Sequence, residues 1–155
     1  MKLSLSSLTK LSEMICGNDP FSYFPYRSSS YLTKFFTELD LDYIHDGSTR
    51  SDWVFSVLKE LNDKPNTNKN IPPREIVKVI EQLLHPDYFL FDDNSDLDKS
   101  RNAVVQILKI NSLTLSQQLT GLVKVVPVLG GIVGGAVDVT TTMAVGKAAK
   151  RIFIS

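Results

Sequence analysis

Side chains able to do chemistry are few and scattered. His45 and His85 are the two histidines of the 155-residue chain, and Cys16 is its single cysteine. The histidines lie in separate segments, with no helical HxxxH pair and no cysteine beside them, so the sequence predicts no metal site. One stretch gathers the residue types that acid–base chemistry needs: His45-Asp46, with Arg50 and Asp52 close behind. If they converged, an imidazole and two carboxylates around an arginine would suit a nuclease-like or hydrolase centre. The same types, placed on either side of the Gly47-Ser48 turn before a helix start, are also what capping and surface ion pairs require, and that is the reading the spacing favours. Cys16 closes an apolar helical face and reads as a small buried hydrophobe rather than a nucleophile.

Two further features invite a binding role. Arg27 follows Tyr26 and precedes the serine run 28–30. Its planar guanidinium could grip an anion with two parallel bonds or brace the loop to a helix terminus, and bracing is favoured. The run Gly130-Gly131-Ile132-Val133-Gly134-Gly135 looks at first like a phosphate cradle. A phosphate loop ends in Lys followed by Ser or Thr, whereas here Gly135 leads to Ala136-Val137-Asp138. The intervals Gly130 to Gly134 and Gly131 to Gly135 instead put hydrogen-only positions on one helix edge, where a second helix can approach closely. With the basic end Lys147, Lys150 and Arg151, this segment reads as a surface for a protein partner, for self-association or for peripheral membrane contact. Its charge-free run from Val125 to Val137 is too short for the roughly 20 residues of a membrane span. No cofactor and no small-molecule substrate is indicated.

These groups must be positioned by helices. Leu5, Leu8, Leu11 and Ile15 recur at helical intervals, and Gly17 suits the left-handed cap that ends such a helix. Phe21, Tyr23, Phe24 and Tyr26 stud the following loop and are expected to cover the core. A second helix carries Leu32, Phe35, Phe36 and Leu39 behind Ser28 to Ser30 as cap candidates. A third, capped by Thr49 or Ser51, carries Trp53, Val54, Val57, Leu58 and Leu61; Trp53, with Arg27 and Arg50, belongs to the candidate interaction residues. Residues 62–70 read as a solvated loop. Pro72 and Pro73 open a fourth helix with Ile76, Val79, Ile80, Leu83 and Leu84, which stops before Pro86. After the aromatic run Tyr88 to Phe91 and a cluster of acids, a fifth helix is expected to reach Ile110 with Leu97, Val104, Ile107 and Leu108 inward, and 113–115 to be a short extended piece. The reading is all-α: a compact multi-helix domain over 1–111 and a Gly-rich helical hairpin over 112–155, with a predicted helix from about 131 to 153.

Composition agrees and narrows the field. With 43% hydrophobic and 22% charged residues and zero formal net charge, the chain resembles an ordinary globular protein. The balance hides a split: 13 Lys+Arg against 16 Asp+Glu through Asn111, and 4 against 1 afterwards. A strongly basic face for duplex nucleic acid is therefore not expected in the larger part. One cysteine and no continuous apolar stretch near Met1 to Leu11 point to the cytoplasm.

The order and spacing of Ile15-Cys16-Gly17, Tyr26-Arg27-Ser28, Phe35-Phe36, Arg50 to Trp53, Leu61-Asn62 and Val79-Ile80-Glu81 with Pro86 and Phe89 resemble the N-terminal helical domain of AbiJ-like abortive-infection proteins of bacteria. That resemblance covers about residues 5 to 110 and implies a role in defence against phage, without implying catalytic residues. Pro127-Val128-Leu129-Gly130, Gly134-Gly135-Ala136-Val137-Asp138 and Val145 to Arg151 look like the end of EcsC-family proteins, in which a proline-glycine turn leads into a glycine-rich helix. This second resemblance implies a docking or membrane-proximal element.

Overall fold

The computed structural model describes the backbone of residues 1–116 and side chains as far as Asn111; the expected C-terminal hairpin lies outside the described residues. Within them the chain is all-α, with five α-helices and one short 3₁₀ turn and no strand. The helices are α1 (Leu5–Cys16), α2 (Ser29–Thr37), α3 (Arg50–Asn62), α4 (Arg74–Leu83) and α5 (Leu97–Ser116), and the 3₁₀ turn is Pro86–Phe89.

Each helix forms where its apolar residues share one face. α1 packs chiefly against α3, which also contacts α2 and α4, while α5 closes against α1. Leu8, Leu11 and Ile15 of α1 meet one continuous core with Leu32, Phe35 and Phe36 of α2, Leu58 and Leu61 of α3, Ile76 and Leu83 of α4, and Val104 and Leu108 of α5. Burying each such side chain contributes about 1.5–3 kcal/mol. Asp52, Glu75 and Asp98 sit in the first turns of α3, α4 and α5, where the helix dipole favours negative charge. Asp96 caps α5 by accepting the Lys99 N–H at 3.0 Å.

Several details differ from the sequence reading. Leu5, the first residue of α1, is exposed and does not join the core. The α1 N-terminus is fixed by polar groups instead: Ser4 Oγ accepts the Ser7 N–H at 3.2 Å, and Ser7 Oγ accepts from Asn111 Nδ2 at 2.7 Å. Thr49 and Ser28 occupy the cap positions of α3 and α2 but make no side-chain cap bond. Residues 113–115 are not extended; they continue α5, which runs on to Ser116. Asn62 belongs to the end of α3 rather than to a solvated loop, and it is buried. Its Oδ1 accepts the Leu3 N–H and its Nδ2 donates to the Leu3 carbonyl, each at 3.0 Å, so one amide side chain satisfies both backbone groups of one residue. The loop after α3 is solvated but ordered by asparagines, with Asn66 Nδ2 donating to the Ile71 carbonyl at 2.7 Å.

No helix among the described residues is long and apolar enough to cross a membrane.

Candidate functional site

The His45 to Asp52 stretch connects α2 to α3 and is pinned to α2 by the His45 N–H, which donates to Thr33 Oγ1 at 2.9 Å. His45 Nδ1 accepts the Gly47 N–H at 3.1 Å, and the ring lies 5.0 Å from that of Trp53. An accepting Nδ1 puts the proton of a neutral imidazole on Nε2, which is buried and has no protein partner. Asp46 turns back on its own loop, where hydrogen bonds from the Ser48 hydroxyl and then the Ser48 N–H hold its carboxyl below the usual range. Asp52 is exposed on α3, and Arg50 points the other way, toward the end of α1. His45 and Asp46 are thus committed to bonds within their own loop and Arg50 to the end of α1, and the four candidate acid–base residues do not converge. Among the described residues, no three His, Cys, Asp or Glu side chains are grouped to hold a metal ion.

The arginines meet at the C-terminus of α1. Gly17 takes φ +70°, and its N–H returns to the Met14 carbonyl at 3.1 Å while the Asn18 N–H returns to Glu13 at 3.1 Å. This leaves the Ile15 and Cys16 carbonyls needing donors at the negative end of the helix dipole. Arg27 supplies two: its N–H donates to Cys16 at 3.2 Å and its Nη1 to Ile15 at 3.1 Å. Arg50 adds Nη1 to Cys16 at 3.2 Å and to the Arg27 carbonyl at 2.6 Å, and its Nη2 donates to Asn18 Oδ1 at 2.7 Å.

Arg27 is 4% exposed and has no ion-pair partner among the described residues. Its guanidinium lies between two rings, 4.7 Å from the centroid of Phe35 and 4.9 Å from that of Tyr88. The π faces stabilise a cation that water no longer solvates. Burial still pushes its pKa down to about 10. Tyr88 is fixed in turn by donating its hydroxyl proton to Glu38. Arg27 therefore braces the loop to the helix end, the arrangement that its sequence context favours. Arg50 lies 4.4 Å from the Tyr26 ring centroid, and Tyr26, expected to cover the core, is 64% exposed and forms the outer lid of Arg50 instead.

Trp53 sits inside, with its ring 5.6 Å from Phe36. Cys16 is fully buried, and desolvation pushes its thiol up to about 11, so it contributes its carbonyl rather than a thiolate. Gly130, Gly131, Gly134, Gly135, Lys147, Lys150 and Arg151 lie outside the described residues.

Sequence reasoning passed over one surface feature. Leu90 is 66% exposed and Phe91 95% exposed, directly after the 3₁₀ turn and among Asp87, Asp92, Asp93 and Asp96. The signal was available, since an apolar run abutting a cluster of acids fits neither a core helix nor a solvated loop. Comparison with known proteins adds no relative: no family model, no curated protein and no solved structure matches the chain.

Proposed function

We propose that the chain is a non-enzymatic recognition or adaptor component of a bacterial antiphage, abortive-infection system, working in the cytoplasm through a protein partner or self-association. One observation carries the reading. Four of the sequence fragments that resemble AbiJ-like domains, those at 15–17, 26–28, 35–36 and 50–53, meet in one junction. Gly17 lies against Pro25 and Tyr26, Arg27 stacks on Phe35, Arg50 binds the carbonyls of Cys16 and Arg27, and Trp53 packs on Phe36. Residues serving one structural purpose account for why those types stand at those positions. The outer side of the junction presents Tyr26 over Arg50, and aromatic and arginine side chains supply most of the binding energy in protein interfaces.

The test is protection against phage in cells carrying the full gene neighbourhood. Deleting the helical front domain is expected to abolish protection, and Tyr26→Ala to lower it while helix content is retained. Unchanged protection in the deletion would sink the reading. The alternative, a peripheral membrane effector acting through the glycine-rich segment 130–151 at the inner membrane, separates by flotation with liposomes: an adaptor stays at the bottom at physiological salt, and a membrane effector rises.

A further inference from the structure

The loop between α4 and α5 presents Leu90 and Phe91 to solvent, and residues 85–98 hold five aspartates and no lysine or arginine. An apolar pair ringed by one sign of charge suits a partner that is apolar and basic. The chain contains such a segment. Residues 147–154, Lys-Ala-Ala-Lys-Arg-Ile-Phe-Ile, combine three cations with three large apolar side chains and no acid. We propose that the acidic Leu90–Phe91 loop is the docking site for this basic, apolar segment of the same chain.

Length agrees with charge. α5 begins at Leu97, beside the loop, and its 20 residues carry the chain about 30 Å away by Ser116. The 23 residues from 131 to 153, which the sequence predicts to be helical, span about 34 Å if they run back alongside. A run of that length is enough to bring the basic end back to the level of the loop, with residues 117–130 left over for the connection. On this proposal Lys150 and Arg151 supply the charges opposite in sign to Asp92 and Asp93, and Phe153 the apolar match for Phe91. The excess of acids before Asn111 and of bases after it thereby becomes one internal interface. This inference does not depend on a role in defence.

The experiment uses the full chain with p-benzoylphenylalanine in place of Phe91, a position so exposed that the fold tolerates the larger ring. After irradiation and digestion, crosslinked peptides should map to 147–155 in a product of monomer mass. The pair Asp92→Lys and Asp93→Lys should cut that yield at least tenfold, and adding Lys150→Glu and Arg151→Glu should restore it. Crosslinks only to other segments, none at all, or a yield indifferent to the charge swap would overturn the assignment. A product of dimer mass would place the segment on a second copy and overturn the intrachain contact.

Discussion

Gly17 offers the sharpest test of how the α1 terminus is built. A Cβ placed there would sit 2.7 Å from the Pro25 carbonyl oxygen, 2.8 Å from Tyr26 Cα and 2.9 Å from Pro25 C, all of them backbone atoms that cannot rotate away. Gly17→Ala therefore combines two costs. The left-handed φ of +70° costs an L-residue about 1–2 kcal/mol. Overpacking against fixed backbone costs about 1–3 kcal/mol more. The alanine recovers about 0.4–1 kcal/mol by restricting the unfolded chain. The net loss, about 1–4.6 kcal/mol, is a large share of the 5–15 kcal/mol typical of a folded domain. Gly47 is the internal control, since its φ is +88° but nothing lies within 4 Å of its Cβ position, so Gly47→Ala carries the backbone strain alone. Urea unfolding followed by fluorescence of Trp53, the single tryptophan, reads both variants on one probe. If Gly17→Ala proves no worse than Gly47→Ala, the close approach of Pro25 and Tyr26 to the helix end is not what holds the junction.

Other outcomes follow from the same geometry. Arg27→Lys should be less stable than Arg27→Met by about 1 kcal/mol or more in urea unfolding, because a buried ammonium cannot stack between Phe35 and Tyr88, whereas Met fills the slot without a charge to desolvate. Asn62→Leu should cost about 2–4 kcal/mol, read the same way, since both the N–H and the carbonyl of buried Leu3 lose their partner. Tyr43 and Tyr88 are pushed up to about 12, chiefly by burial and then by donating to Glu60 and Glu38. Their folded values exceed the unfolded value of 10.0, so this stabilisation is complete below pH 10 and is lost as pH rises toward 12. A tyrosinate absorbance titration should therefore show a late component that shrinks in Tyr43→Phe and in Tyr88→Phe.

The helices were legible because their apolar positions repeat at the helical pitch. Leu32, Phe35 and Phe36 face the core as their spacing demands, and so do Ile76, Val79, Ile80 and Leu83. Pitch alone says nothing about where a face stops, so it includes Leu5, which is exposed, and it leaves 113–115 outside a helix that continues through them. Arg27 could be read as a brace because the end of α1 and the loop returning to it are neighbours in sequence. Asn62 and Asn111 could not be read, because their partners Leu3 and Ser4 lie 59 and 107 residues away and a buried amide looks like any surface asparagine in one dimension. That His45, Asp46, Arg50 and Asp52 serve local structure rather than one centre is what their spacing favours, but the bonds of Arg50 to the end of α1 depend on which way its side chain turns and could not be read.

The Asn111 amide has a consequence for how the molecule is made. It accepts the Ser4 N–H at 2.8 Å and donates to Ser7 Oγ, so the opening turn of α1 is completed by a residue of α5. At a synthesis rate of roughly 5–20 residues per second, that partner is made about 5–20 s after Ser4. Until then, a growing chain holds the first turn of α1 by the local Ser4–Ser7 cap alone, and closure of the described helices waits for α5 to clear the ribosome.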